Sequence, residues 1–402
     1  MKSKQILPGI HWVGSLDPDL RVFDIVMETQ HGTTYNSYLV KDNKVALIET
    51  AKERFFSDHL EKISELIDPA DIDYIIVNHT EPDHSGSVGR ILDLAPKAKV
   101  VGSRSAINFL EQIANRTFDH IVVGDGDELD LGSRTLRFIS APFLHWPDSM
   151  FTYSPEDRVL FSCDVFGSHY SHEGVFDDLV AGDFDDDARY YFGMIMGPYR
   201  GFVRSALSKI KDLEIDIICP GHGPVHRSNP EHIVDLYREW SDEAGGQNYV
   251  AIAYISAYGN TGQMAREIAS GIEEVVDLPI EVFDISEVGL VKAAEKANGA
   301  SSLLVGSPTI NRDAVKPAWD LLSMVSAITN KNKPAGAFGS YGWSGEAAAM
   351  ITDRLDSLNF KVVDPLRARL VPSAKELADC RQFGRSFGQL VAKACDLQDR
   401  TG

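Results

Sequence analysis

The chain has 402 residues, 44% hydrophobic and 24% charged, with a formal net charge of −20. That length exceeds one ordinary domain and points to two. The charge disfavours nucleic acid and anionic membrane surfaces, and no apolar run reaches the roughly 18–20 residues that cross a bilayer.

Residues 1–9 carry Lys2 and Lys4 but no apolar segment behind them, so no secretory signal is read there. From 6 to 49 the pattern is β-rich, with short strands expected over 10–13, 22–27, 35–40 and 45–48. A helix follows over 55–66, then an apolar strand at Ile75, Ile76 and Val77. Helices over 87–94 and 105–113 flank a short strand at 100–101. The β pattern returns at 121–123, 136–139, 150–153 and 159–161. Helices over 188–196 and 202–213 precede the apolar run Ile217, Ile218, Cys219. Strands on both sides of interspersed helices suggest an αββα sandwich.

A polar, Gly-rich stretch at 241–248 marks a boundary. Beyond it, strands at 250–255, 280–283, 302–305, 335–338 and near 360–363 alternate with helices, the last over 374–395. Such alternation predicts a doubly wound parallel sheet. The fold class is therefore α/β, with domains expected at 1–245 and 249–402. Four scattered cysteines, Cys163, Cys219, Cys380 and Cys395, form no C-x-x-C pair and suit a reducing cytoplasm. Cys163 and Cys219 read as buried small hydrophobes.

The strand at 75–77 delivers Asn78-His79-Thr80-Glu81-Pro82-Asp83-His84, four potential metal ligands within six positions. Imidazole and carboxylate ligands suit zinc and non-haem iron, and loops at strand ends are where they converge. His145, Asp164 and His222 each lie beside a later apolar run whose end could aim them at the same point. Seven ligands exceed the needs of one tetrahedral ion, so two metals are implied, with Asp164 chosen as the bridge.

The string His79-x-Glu81-x-Asp83-His84, followed by His145, Asp164 and His222, resembles the metallo-β-lactamase-like domain of the flavodiiron proteins. These are also called A-type flavoproteins or rubredoxin:oxygen oxidoreductases, and the resemblance covers nearly the whole chain. Zinc hydrolases of that superfamily carry His where this chain has Glu81. A carboxylate there favours iron that must reach the ferric state. The resemblance implies that His79, Glu81 and His145 bind one iron, Asp83, His84 and His222 the other, and Asp164 both. One departure concerns the pocket. The family often has a histidine there in an Arg-x-Phe-His context, whereas this chain reads Arg21-Val22-Phe23-Asp24. Tyr190 and Tyr191 are candidate phenol donors in its stead. His169 and His172 are candidates for the pocket wall, and His11, His59, His120 and His232 read as surface residues.

The strand at 250–255 ends in Ser256-Ala257-Tyr258-Gly259-Asn260-Thr261-Gly262, where a helix begins. Hydroxyls, an amide and backbone N–H groups at a helix N-terminus form a cradle for phosphate. Asn260 stands where a P-loop needs Lys, and no G-x-G-x-x-G follows a strand, which argues against nucleoside triphosphates and dinucleotides. Ser307-Pro308-Thr309-Ile310-Asn311 ends the third strand, and Gly339-Ser340-Tyr341-Gly342-Trp343 ends the fourth. Both lie at the carboxyl edge, where open α/β sheets bind ligands. Tyr341 or Trp343 could flank an isoalloxazine face. The three loops resemble the FMN loops of flavodoxin-like domains.

The resemblance implies a soluble cytoplasmic oxidoreductase with two iron ions and FMN. It would reduce dioxygen to water, nitric oxide to nitrous oxide, or both. FMN stores two electrons and two ferrous ions supply two more, which matches the four that dioxygen needs. No rubredoxin or flavin-reductase extension follows the flavodoxin-like region, so a separate donor is expected, rubredoxin or a reduced deazaflavin. Family subunits pair head-to-tail, implying a homodimer or a dimer of dimers. Two other classes compete. A zinc-dependent metallo-β-lactamase-fold hydrolase fused to a flavodoxin-like domain is opposed by Glu81. A non-enzymatic electron carrier or redox sensor is opposed by the full set of seven ligands.

Overall fold

The computed structural model describes residues 1–25, 27–180, 182, 184–242 and 248–399. The chain forms two compact units, 1–243 and 244–402. Most of the expected boundary stretch, at 243–247, lies outside the described residues.

In the first unit, among the described residues, a seven-stranded and a five-stranded sheet face each other. The larger runs Lys4–Leu7, Ile10–Trp12, Tyr38–Lys41, Val45–Ile48, Tyr74–Ile76, Lys99–Gly102, His120–Val122, and its last four strands are parallel. The smaller runs Glu128–Asp130, Thr135–Ser140, Met150–Ser154, Val159–Cys163, Ile217–Pro220, with only its last pair parallel. Side chains alternate along each strand, and here both faces are covered. Tyr38 and Val40 point into the layer between the sheets with Trp12, Phe138 and Phe161. Leu39 and Leu47 instead meet the helices Phe56–Ser64, Val88–Leu94 and Arg104–Ile113. Asp185–Tyr191, Arg200–Ile210 and Pro230–Asp242 cover the outer face of the smaller sheet. Burying each large apolar side chain contributes about 1.5–3 kcal/mol, and this packing holds the strand ends in a fixed relation.

Local readings differ in several places. The span 22–27 is a hairpin, Val22–Phe23 against Met27–Glu28, because the chain reverses at Asp24 and Ile25 with φ of 46° and 67°. The span 35–40 breaks into Thr33–Tyr35 and Tyr38–Lys41, since the Asn36 amide turns to donate to the Pro220 and Gly223 carbonyls. The expected helix over 188–196 is α-helical only to Tyr191 and widens to a π turn over Phe192–Met196. The helix Pro230–Asp242 was not anticipated. His59, read as a surface residue, is buried on the apolar face of its helix with Nε2 3.1 Å from Ser37 Oγ. Burial, helped by the charge of Lys62, pushes its imidazole down to about 3. His120 and His232 are exposed and His11 half-buried.

The second unit is a parallel sheet in the order Ile280–Asp284, Val250–Tyr254, Ser302–Gly306, Pro334–Tyr341. The expected fifth strand is split into Lys361–Val362 and Leu366–Arg369, both parallel to Pro334–Tyr341. A small hairpin, Thr309–Ile310 with Asp313–Ala314, follows the third strand. Leu290–Gly299, Lys316–Met324 and Glu346–Ser357 cover one face, and Asn260–Glu273 with Ala374–Asp399 the other. This is the doubly wound order 2-1-3-4-5. Among the described residues no helix is long and apolar enough to cross a membrane.

Candidate metal centre and flavin loops

The sequence-predicted ligands come together at one edge of the first unit. His79 follows the strand Tyr74–Ile76, and the short helical turn Pro82–Ser85, opened by Glu81 and Pro82, carries Asp83 and His84. Asp164 follows Val159–Cys163 and His222 follows Ile217–Pro220, two strands that run parallel and so end on the same side. His145 precedes Met150–Ser154, whose antiparallel direction brings its start to that edge.

Two groups result. Ligand atoms of His79, Glu81, His145 and Asp164 lie within 4.8 Å of one another, as do those of Asp83, His84 and His222. Asp164 stands between them. Its Oδ2 is 3.5 Å from Nε2 of both His79 and His145, while its Oδ1 is 2.9 Å from His84 Nε2 and 3.5 Å from His222 Nε2. Glu81 Oε2 is 3.0 Å from His145 Nε2 and 3.3 Å from His79 Nε2. The second group is buried, whereas the side chains of Glu81 and His145 remain 18% and 21% exposed, so the first group opens outward.

Electrostatics follow from burying three carboxylates among imidazoles. Burial favours neutral His79, but hydrogen bonding to Asp148 and Glu81 and the charge of Asp164 raise it well above its ordinary value. Burial opposes charging His84 too, and Asp83 and Asp164 reverse this. Burial works against ionising Asp164, yet His84, His79 and His222 hold it well below the carboxylate range. Asp24 reaches this site from its hairpin. Burial and the charges of Glu81 and Asp83 push its carboxyl up to about 6.

In the second unit all three loops meet at the carboxyl edge of the sheet. Gly259, at φ +83°, starts the helix Asn260–Glu273 with no side-chain cap, and Ser256 Oγ accepts from Gly262 N at 3.1 Å. Thr261 Oγ1 and Ser340 Oγ are 3.0 Å apart, tying the first loop to the third. Thr309 pairs with Tyr341, and a β-carbon on Gly339 would lie 2.0 Å from the Ser307 carbonyl oxygen. Only glycine permits that approach. Tyr258 and Trp343 are 90% and 93% exposed.

Comparisons with known proteins agree with both halves. The family model described as ODP family beta lactamase matches residues 33–223, and the flavodoxin model matches 252–384. A protein of Clostridium acetobutylicum named flavo-diiron protein FprA2 is 41% identical, over 97% of this chain and all of its own length. The chain belongs to the flavodiiron protein family. A flavodiiron relative from Moorella thermoacetica, named nitric oxide reductase, is 36% identical over 96% of this chain and 98% of its own. The solved rubredoxin oxygen:oxidoreductase of Desulfovibrio gigas superposes with a TM-score of 0.76 at 28% identity, covering 98% of this chain and 100% of that one.

Membership makes the chain an oxidoreductase of the diiron and FMN type, and its residues fit both groups. Among the described residues, both Asp83 oxygens, both His84 nitrogens and Asp164 Oδ1 are buried without a hydrogen-bond partner. Such orphaned lone pairs are costly unless a cation takes them. Gly259 supplies no side-chain cap to Asn260–Glu273, and with Gly262 N donating to Ser256 Oγ a phosphate would draw on the amides that precede it.

The residues that orient the imidazoles escaped sequence reasoning. Asp148 Oδ2 lies 3.4 Å from His79 Nδ1 and accepts from Thr80 N at 2.7 Å. His222 Nδ1 donates to the Thr34 carbonyl at 2.6 Å. Both contacts leave Nε2 free to face the centre. Asp148 has one sequence signal, its place in the string around His145, but nothing there names His79 as its partner. His169 is buried with its ring 5.4 Å from that of His222, and its Nδ1 is 3.0 Å from Thr33 Oγ1. His172 instead accepts from Gly174 N. Tyr191 is buried with its ring 4.9 Å from His169 and 6.0 Å from His222.

Proposed function

We propose that this protein reduces dioxygen to water, nitric oxide to nitrous oxide, or both, with electrons delivered through FMN from an external donor such as rubredoxin. The observation that carries this reading is the pair of ligand groups sharing Asp164, with Glu81 as a carboxylate member. Names of relatives support the two gases: one is a nitric oxide reductase, another a rubredoxin oxygen:oxidoreductase. When bound, the irons and the flavin supply the electron-transfer chemistry and the site at which the gas is reduced.

The side chains supply position and field. His79, Glu81 and His145 would hold one iron, Asp83, His84 and His222 the other, and Asp164 both. Asp148 and the Thr34 carbonyl fix the tautomers of His79 and His222. Tyr191, whose buried hydroxyl has no hydrogen-bond partner among the described residues, is a donor available beside the second group. Ser256, Tyr258, Gly259, Asn260 and Thr261 would hold the flavin phosphate. Ser307, Pro308, Thr309 and Asn311, with Gly339, Ser340, Tyr341, Gly342 and Trp343, would line the ring. We assign the two roles to domains 1–245 and 249–402 and expect a cytoplasmic head-to-tail homodimer or dimer of dimers.

The test is gas consumption at dioxygen and nitric oxide electrodes, using iron- and FMN-loaded protein with reduced rubredoxin. Uptake of either gas, abolished by Asp164→Ala, is expected. Failure to consume both gases with cofactors at full stoichiometry would overturn the reading.

A further inference from the structure

His222 stands where regular structure stops. The strand Ile217–Pro220 ends just before it, and Gly221 and Gly223 flank it, the second at φ +81°. Glycine leaves a backbone free to adopt many conformations, so the place of this imidazole has to be set by neighbours. Asn36, fully buried in the break between Thr33–Tyr35 and Tyr38–Lys41, is one of them. Its backbone N donates to the Gly221 carbonyl at 2.8 Å. Its Nδ2 donates to the Pro220 and Gly223 carbonyls, each at 2.9 Å. Asn36 therefore binds the chain on both sides of His222. Its Oδ1 accepts from Trp12 Nε1 at 2.8 Å, and Trp12 is itself fully buried between the two sheets. A flipped amide would set oxygen against two carbonyls and NH2 against the indole N–H, so Trp12 fixes which end faces the loop.

We propose that Asn36 is a positioning residue for His222, clamping residues 220–223 so that Nε2 is presented to the metal shared with Asp83 and His84. That nitrogen lies 3.2 Å from Asp83 Oδ2 and 3.5 Å from Asp164 Oδ1. The inference rests on the ligand assignment made above. The Thr34 carbonyl sets the rotation of the ring through Nδ1; Asn36 sets the main chain that carries the ring. Through Trp12 the loop is tied to the core between the sheets, which links the second metal to the packing of that layer. Outer partners of metal ligands typically affect affinity by about 10–100-fold.

The experiment measures iron loss, independently of turnover. Iron-loaded, ferrous, full-length protein is mixed with a ferrous chelator and the released iron is followed with time. In Asn36→Leu one of the two irons is expected to leave about 10–100-fold faster than in the unaltered protein, the other at the unaltered rate. The double variant Trp12→Phe/Asn36→Leu replaces a hydrogen-bonded pair by apolar groups of similar shape, a change that spares stability. It should show the same selective release. Leu131→Ala, a cavity in the same interlayer core away from the loop, should leave both rates unaltered. Adding Asp148→Asn, which acts on His79, to the double variant should speed both irons. Equal acceleration of both irons without Asp148→Asn would overturn the proposal, as would unchanged release. So would selective release in Leu131→Ala, or one iron still leaving at the unaltered rate when Asp148→Asn is added. Fewer than two irons in the unaltered protein would fail the ligand assignment itself, which is a separate result.

Discussion

Glu49 offers a quantitative test of how the first unit is held together. Its side chain is buried behind the ligand loop, with Oε1 accepting from Asn78 N at 2.9 Å. Oε2 has no hydrogen-bond partner among the described residues. Burial, only partly opposed by the charge of His84, pushes the carboxyl from its ordinary 4.5 up to about 7. The native state thus holds this proton more tightly than the unfolded chain does. The resulting stabilisation is complete below pH 4.5 and is lost as pH rises through 7. Between pH 5 and 8 the loss is about 2.5 kcal/mol, at 1.36 kcal/mol per unit of pKa. Glu49→Gln keeps the acceptor for Asn78 and cannot ionise. Urea unfolding of metal-free protein, followed through the tryptophans of the first unit, should show the unaltered chain losing about that much relative to the variant across this range. A difference between the two that stays flat from pH 5 to 8 would refute the reasoning.

Two glycine substitutions separate the halves. Gly221→Ala places its new methyl 2.7 Å from His84 Cε1. It should cost about 1–3 kcal/mol and lower iron content toward one per chain in metal analysis, with flavin content unchanged. Gly339→Ala drives a methyl to 2.0 Å from the Ser307 carbonyl and parts the second and third flavin loops. Gel filtration should then strip most of the FMN, while both irons remain. Retention of full flavin absorbance would count against the close loop contact as the organising feature of that site.

Much of the candidate site was legible because its candidate ligands are short-range events. His79 to His84 occupy one turn after one apolar strand, and Asp164 and His222 sit directly after others, so ligand-type residues at the ends of apolar runs pointed to them. The partners of those ligands were not legible, because Asp148 meets His79 across 69 residues and a backbone carbonyl such as that of Thr34 leaves no residue signature. The hairpin at Asp24 was hidden for a related reason. Ile25 is β-branched and exposed and adopts a positive φ that its type disfavours, so its residue type gives no sign of the turn. Two misses were avoidable. Pro230 opens its helix after Ser228 and Asn229, with Ile233, Val234, Tyr237 and Trp240 on one face. His59 shares its helical face with Phe56 and Ile63, and that spacing marks a buried position.

Asp164, with the two carboxylates and four imidazoles around it, also makes protons rivals of metal. Neighbouring carboxylates raise both rings well above their ordinary range, Asp148, Glu81 and Asp164 for His79 and Asp83 and Asp164 for His84. Filling the cage must therefore expel protons from those rings. Uptake of metal should acidify an unbuffered solution, and mild acid should empty the cage much as a chelator does. Once metal leaves, the protonated rings of His79 and His84 would pair with the Glu81 and Asp164 carboxylates beside them.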